Sequence, residues 1–342
     1  MRTSIFLDYD GDPVALAGQV VDAESAGIDD VWVAEAYGFD AVSLLGYLAA
    51  KTSTIRLASG ILPLGTRTPA LLGMTAAGID ALSGGRFTLG LGSSGPQVIE
   101  GLHGVAFDRP LARTRDTIEI CRILWRRDPV EYQGATVTLP NPGGRPMRLI
   151  TTPVRAQIPI AIAAMGPKNV ELTAELADAW LPMFGFFHPE KWHDVWGASL
   201  AAGLAKRAPE LAPLDVVVGG EVCIGPDGES VRDRSKALVA LYVGGMGSRE
   251  QNFYNDLFRR YGYEDEAATI QDRFLGRDRD GAAAAVPDEF IEATSLCGDE
   301  DFVRAQVVRY RDAGATNLLV RPIGPDKIGT LHSLREIVAD LS

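Results

Sequence analysis

The chain has 342 residues, 46% of them hydrophobic, and a net charge of −12 from 45 acidic and 33 basic side chains. That length and apolar content can fill the core of one large barrel or of two ordinary domains at roughly 150 residues each. The acidic balance disfavours nucleic acid or an anionic membrane as a general partner, because such binding needs a basic face that displaces counterions.

No apolar run reaches the length of a membrane span, and Met1-Arg2-Thr3 leads straight into a short apolar stretch without a signal-peptide layout. The sequence therefore reads as one soluble, cytoplasmic unit over 1–342 with no linker. Cys121, Cys223 and Cys297 are odd in number and far apart. That pattern points to reduced structural thiols, not to a disulfide framework or a clustered metal site.

In chain order, short β-branched or apolar runs at 4–7, 30–34, 55–62, 86–91, 158–163, 179–183, 215–224 and 317–320 read as strands. Between them, 13–26, 40–51, 69–82, 111–127, 167–178, 189–206, 230–244 and 299–313 show helical spacing, with Pro, Ser or Asp near their starts. Gly27 and Gly314 stand where helices should end. Eight strands alternating with eight helices predict an α/β fold, a (β/α)8 TIM-type barrel, in preference to a doubly wound sheet.

Two stretches interrupt the rhythm. A hairpin is expected over 130–139 around Gln133-Gly134, followed by the loop Pro140-Asn141-Pro142-Gly143-Gly144. The segment 246–292 is polar and helical with Phe253, Tyr254, Phe258, Tyr261 and Tyr263. In a barrel it is an insertion, either a lid or substrate-selecting element over the active-site face, or a packed helical excursion or oligomer contact.

Gly90-Leu91-Gly92-Ser93-Ser94-Gly95 matches the dinucleotide fingerprint G-x-G-x-x-G, but the context is wrong for a nicotinamide site. It follows the fourth strand instead of the first, and the acidic residues downstream, Asp116 and Glu119, fall inside a helix where they could not meet a ribose. The alternative is a loop in which Gly92 and Ser93 lie against a flat ring, because missing side chains let the ring approach the backbone.

The run Ile158-Pro159-Ile160-Ala161-Ile162-Ala163-Ala164-Met165-Gly166-Pro167-Lys168-Asn169 carries the most chemistry. An apolar strand empties through small residues into a helix start, where free N–H groups and the helix dipole attract an anion. Pro167 fits the first helical position, and Lys168 adds a point charge. Downstream, Trp180, Phe184, Phe186 and Phe187 form either a pocket wall or an aromatic edge of the core. His103 is a loop histidine within reach of such a site. His188 and His193 lack metal-ligand spacing.

Taken together, Val31-Trp32-Val33-Ala34-Glu35-Ala36, Ser59-Gly60-Ile61-Leu62-Pro63 with Arg67-Thr68-Pro69, Ser83-Gly84-Gly85-Arg86 before Gly90-Leu91-Gly92, the hairpin, the corner at 164–168, Gly298-Asp299 and Ile323-Gly324-Pro325-Asp326-Lys327 resemble the luciferase-like flavin and deazaflavin barrels. The likeness is to their coenzyme F420-dependent branch, including methylenetetrahydromethanopterin reductase, and runs nearly the whole length.

The resemblance implies coenzyme F420 across the barrel mouth, its phosphate at Ala164, Met165 and Gly166 and its ring over the third strand. It implies a non-proline cis peptide at Gly60-Ile61 that backs the ring. Glu35 stands where relatives carry an Asp near the cofactor, and Asp8 where several place a glutamate facing the reaction centre. Asp8 is thus the candidate proton donor, although from the residues alone it belongs to the acidic turn Asp8-Tyr9-Asp10-Gly11-Asp12-Pro13 that caps a helix. Where relatives that oxidise alcohols or sugar phosphates, and the pterin reductase too, carry a histidine, this chain has Ala36, which also argues against the pterin substrate itself. Without that base, reduction of a polarised C=N or C=C bond is expected over alcohol oxidation. The alternatives are an FMN-dependent monooxygenase, a cofactor-binding barrel without turnover and, more remotely, an NAD dehydrogenase. Family habit implies a homodimer or a higher even assembly acting on a small-molecule substrate.

Overall fold

The computed structural model describes residues 1–7, 11–232 and 234–341. Its strands are β1 (Arg2–Leu7), β2 (Asp30–Val33), β3 (Arg56–Ser59), β4 (Leu62–Pro63), β5 (Phe87–Gly92), β6 (Tyr132–Gln133), β7 (Thr138–Leu139), β8 (Ile160–Ala163), β9 (Ala179–Leu181), β10 (Asp215–Val218), β11 (Glu221–Ile224), β12 (Leu296–Gly298) and β13 (Asn317–Pro322). Parallel pairing runs β1-β2-β3-β5-β8-β9-β10-β13 and returns from β13 to β1, with Ile5 opposite Val320. The sheet therefore closes into the expected eight-stranded barrel.

Alternation along each strand sorts side chains between two layers. Phe6, Trp32, Ala58, Ala161, Ala179, Val217 and Leu319 pack together inside the barrel. Their neighbours Ile5, Val31, Val33, Leu57, Phe87, Leu89, Ile160, Ile162 and Leu318 belong to the larger core under the helices. The helices begin where capping chemistry allows. Asp12, Asp40, Thr68 and Asp299 accept from the first free N–H groups of Pro13–Ser25, Ala41–Lys51, Pro69–Leu82 and Glu300–Asp312. Gly27 (φ +80) and Gly314 (φ +92) follow two helix ends in the left-handed conformation that a side chain would resist.

Several expectations are corrected. The predicted strand 215–224 is two strands, because Gly219 and Gly220 pack their backbones against Leu319 O and Thr294 O, where a Cβ would lie 2.1 and 2.4 Å away. Beyond that break β11 leaves the barrel ring and pairs with β12, a three-residue strand with no readable period. The predicted helix 189–206 contains a π-helical turn, His193–Gly197, before Ala198–Leu204. A last helix, Lys327–Asp340, was not anticipated, although Asp326 caps it by accepting from the Gly329 N–H at 2.8 Å.

The insertion at 246–292 packs part of its aromatic set into the core, while Phe253 is exposed and Tyr254 half-buried. Phe258, Tyr261, Tyr263 and Phe290 are buried, and the Tyr261 hydroxyl donates to Phe186 O at 2.8 Å. The hairpin is present as antiparallel β6 and β7. Asp116 holds it to helix Pro110–Trp125 by accepting from the Thr136 N–H at 2.6 Å and the Tyr132 hydroxyl at 2.9 Å. That explains Asp116 without a nucleotide. No helix among the described residues is long and apolar enough to cross a membrane.

Candidate active site

Barrels of this kind place chemistry at the C-terminal ends of their strands. There β3 stops at Ser59, and the Gly60–Ile61 peptide bond is cis, as expected. The Gly60 N–H donates back to Val33 O at 2.7 Å, and pairing resumes one step on, with Leu62 opposite Leu91. Across the gap the Ser59 hydroxyl accepts from the Gly90 N–H at 2.8 Å and donates to Gly90 O at 2.9 Å. The bulge so formed carries Ile61, half-buried, at the barrel mouth.

This bulge also accounts for the two glycines of the dinucleotide-like motif. A Cβ on Gly90 would sit 1.8 Å from Ser59 O, and one on Gly92 would sit 2.9 Å from Ile61 Cγ1. Gly92 is buried beneath Ile61, where its missing side chain makes room for the bulge. Ser93 is half-buried at the strand's end, and Gly95 has open space around it.

Glu35, just past β2, is held on both oxygens. Arg67 donates to it twice, at 2.5 and 2.9 Å, and the Ala41 N–H donates at 3.0 Å from the start of the next helix. The hydrogen bond to Glu35 lifts the Arg67 pKa above its ordinary value against the opposing effect of burial. A bidentate, mostly buried pair of this geometry is a rigid fixture of the βα loop. Arg67 appeared in the sequence only as part of a motif. Its role becomes visible through a partner 32 positions away. Ala36 is half-buried beside this pair. A cleft of about 430 Å³ opens next to it, lined by Val14, Val33, Ala34, Phe39, Leu44 and Tyr47 among others.

Past the end of β8, Ala164 is buried, Met165 half-buried, and Gly166, Pro167 and Lys168 exposed. Gly166 is the N-cap of helix Pro167–Leu176 and has no side chain to close it, with no atom within 4 Å of where a Cβ would stand. The N–H groups of Met165, Gly166 and Lys168 make no hydrogen bond among the described residues. Asn169 Oδ1 is likewise buried without a partner there.

The other singled-out residues separate cleanly. Asp8 lies outside the described residues. Trp180, Phe186 and Phe187 are core, whereas Phe184 is half-buried and stacks on Phe6 at 5.3 Å near the mouth. His188 is buried against Tyr261 and Phe290, and burial drives its pKa down to about 4. His103 is exposed. No group of three or more metal-ligating side chains occurs among the described residues.

Comparison with known proteins places this geometry. Residues 2–317 match the model of the luciferase-like monooxygenase family. The chain is 38% identical to a putative coenzyme F420-dependent oxidoreductase of Mycobacterium tuberculosis, over 98% of this chain and 99% of that protein. It is 30% identical to the 5,10-methylenetetrahydromethanopterin reductase of Archaeoglobus fulgidus, over 93% of each. The structure of the coenzyme F420-dependent tetrahydromethanopterin reductase of Methanopyrus kandleri superposes with a TM-score of 0.83 at 25% identity, over 100% of this chain and 99% of the other.

Proposed function

The chain belongs to the luciferase-like monooxygenase family, and from that premise we propose that it is a coenzyme F420-dependent oxidoreductase that reduces a polarised C=N or C=C bond in a small organic substrate. The observation that carries this reading is the pairing, across one barrel mouth, of the Gly60–Ile61 bulge with an uncapped helix start at Gly166. A planar ring with an anionic tail fits between them. The unpartnered N–H groups of Met165, Gly166 and Lys168, the open space at Gly166 and the Lys168 charge suit a phosphate. The orphaned Asn169 Oδ1 suits a hydroxyl on the chain that joins ring to phosphate.

When bound, F420 supplies a hydride donor or acceptor at C5 of its deazaflavin. The protein's residues place and polarise. Ile61 and the bulge would support the ring's rear face. Glu35, fixed by Arg67 and Ala41, would present a set acceptor to the cofactor or substrate instead of delivering a proton. Proton delivery to the reduced product is assigned to Asp8, on the resemblance alone, as the residue that follows Leu7 in the sequence. Ala36 supplies no imidazole to deprotonate an alcohol, which supports reduction as the direction of chemistry.

We also propose that the chain acts as a homodimer. Helices Ala41–Lys51 and Pro69–Leu82 expose Tyr47, Leu71, Met74 and Leu82, and of their two charged residues Asp80 is buried and Lys51 alone remains at the surface. Light scattering reads the mass directly. For the cofactor, the protein is titrated separately with F420 and with FMN while the absorbance of each is followed. F420 is expected to bind in the micromolar range and FMN far more weakly; tight FMN binding with oxygen-dependent turnover would replace this reading with a monooxygenase.

A further inference from the structure

We propose that Trp180 and Trp196 are positioning residues that build the anion cradle at Met165–Lys168; the inference rests on the reading of that corner as the F420 phosphate site. Three consecutive carbonyls before the helix each receive a side-chain donor. Asn169 Nδ2 donates to Ala163 O at 3.3 Å, Trp180 Nε1 to Ala164 O at 2.9 Å and Trp196 Nε1 to Met165 O at 2.7 Å. The peptide bonds following Ala164 and Met165 are trans. In a planar trans peptide the C=O and N–H point in opposite directions, so pinning one carbonyl aims the next residue's N–H away from the pin.

The two indoles meet edge to face, 5.4 Å apart at 83°. Both carbonyls therefore turn toward one aromatic wall, and the N–H groups of Met165 and Gly166 turn away from it. The preceding amide is spent differently: the Ala164 N–H donates to Leu181 O at 3.2 Å, within the sheet. Each indole thus does two things for an anion. It withdraws a carbonyl oxygen that would repel a phosphate, and it orients a backbone donor toward one.

The local fold serves this arrangement. Both tryptophans are fully buried, and an indole can only donate, so each needs an acceptor in its own wall. Trp180 reaches Ala164 O from β9, the strand next to β8. Trp196 reaches Met165 O from the π-helical turn, whose extra residue per turn resets the direction of its side chains relative to an α-helix. Gly197 lets that turn close against the His193 ring, where a Cβ would lie 2.8 Å from the imidazole.

The test separates packing from positioning. Trp196→Phe and Trp180→Phe keep an aromatic ring and delete the donor. Affinity is measured by fluorescence titration for F420 and for the same deazaflavin chromophore without its phosphate-bearing tail. Wild-type protein is expected to prefer F420 by about tenfold or more, and each Phe variant to reduce that preference by about fivefold with binding of the tail-less ring unchanged. If wild-type protein shows no preference, the phosphate reading itself fails. If it prefers F420 and both variants keep the full preference, the phosphate reading stands and the positioning role is refuted. Should a Phe variant fail to fold, the same two titrations are made with the benzothiophene analogue of tryptophan placed at 180 or 196, which keeps the bicyclic ring and removes only the N–H; the same loss of preference, about fivefold, is expected. Full preference in the analogue-bearing protein would overturn the proposal.

Discussion

At the N-terminal end of the barrel, the first residues of five strands, Arg2, Asp30, Arg56, Asp215 and Asn317, converge on one network. Asp30 accepts from the Ser4 hydroxyl at 3.1 Å, from Asn317 Nδ2 at 3.2 Å and from Arg56 Nε at 2.9 Å, while Arg2 pairs with Asp215. At the C-terminal end a backbone bulge interrupts the ladder beside Gly90 and Gly92, and three N–H groups at the start of a helix have no partner among the described residues. The first end spends its polar groups on itself and is a plug; the second leaves backbone donors and space over, which is what a ligand requires. Buried polar groups that are satisfied speak for stability, and accessible ones left unsatisfied speak for binding.

The sharpest way to break this contrast is a glycine that belongs to the bulge. Gly90→Ala would force a Cβ into the Ser59 carbonyl and is expected to cost about 4 kcal/mol or more, read as loss of soluble protein or a large fall in Tm. Gly95→Ala, three residues past the strand in open space, is expected to change Tm by a degree or so. Equal effects would show that the packing at Gly90 is misjudged.

Next in size is the plug. Asp30→Asn leaves the arginines without their shared carboxylate and is expected to cost on the order of 3 kcal/mol, with F420 affinity unchanged. Urea melts and cofactor titration on the same sample check both halves. A variant that binds cofactor poorly while fully folded would join the two ends that the account separates.

His188 provides a pH-dependent test within the aromatic core. Burial lowers its pKa from 6.5 to about 4, so the unfolded chain binds a proton there more readily than the folded one. Stability is therefore full above about pH 6.5 and declines as pH falls toward 4, by on the order of 2–3 kcal/mol at most. His188→Asn should flatten that part of the curve in urea melts taken from pH 7 to 4; an unchanged slope would assign the acid sensitivity to carboxylates alone.

Smallest in stability is the rim pair. Arg67→Lys retains charge but loses the two-point grip on Glu35, and is expected to cost about 1 kcal/mol while lowering turnover or cofactor affinity about tenfold or more. Thermal melts beside steady-state rates separate the two; a variant with native rates would make the pair a stability element like the plug.

How much of this was legible in the sequence depended on the range of each interaction. Helix caps such as Asp40 and Thr68, and the helix-ending Gly27, act within a few residues and show in the local pattern. The corner at 164–168 was legible for the same reason, and the cis bond at Gly60 through resemblance to relatives. Contacts between distant segments were not. Asp30 and Arg56 look like ordinary polar residues at strand starts until the barrel closes, Arg67 finds Glu35 only through the loop geometry, and the core role of Phe258, Tyr261 and Tyr263 in the 246–292 segment shows only in their burial. Trp196 gave no signal, because its function lies in a single N–H aimed at a carbonyl 31 residues earlier.

The most direct test of the central claim is a crystal structure of the protein soaked with F420. The phosphate is expected within hydrogen-bonding distance of the Met165, Gly166 and Lys168 N–H groups, and the deazaflavin against the Gly60–Ile61 bulge. A phosphate bound elsewhere, with the start of helix Pro167–Leu176 left to solvent, would contradict it.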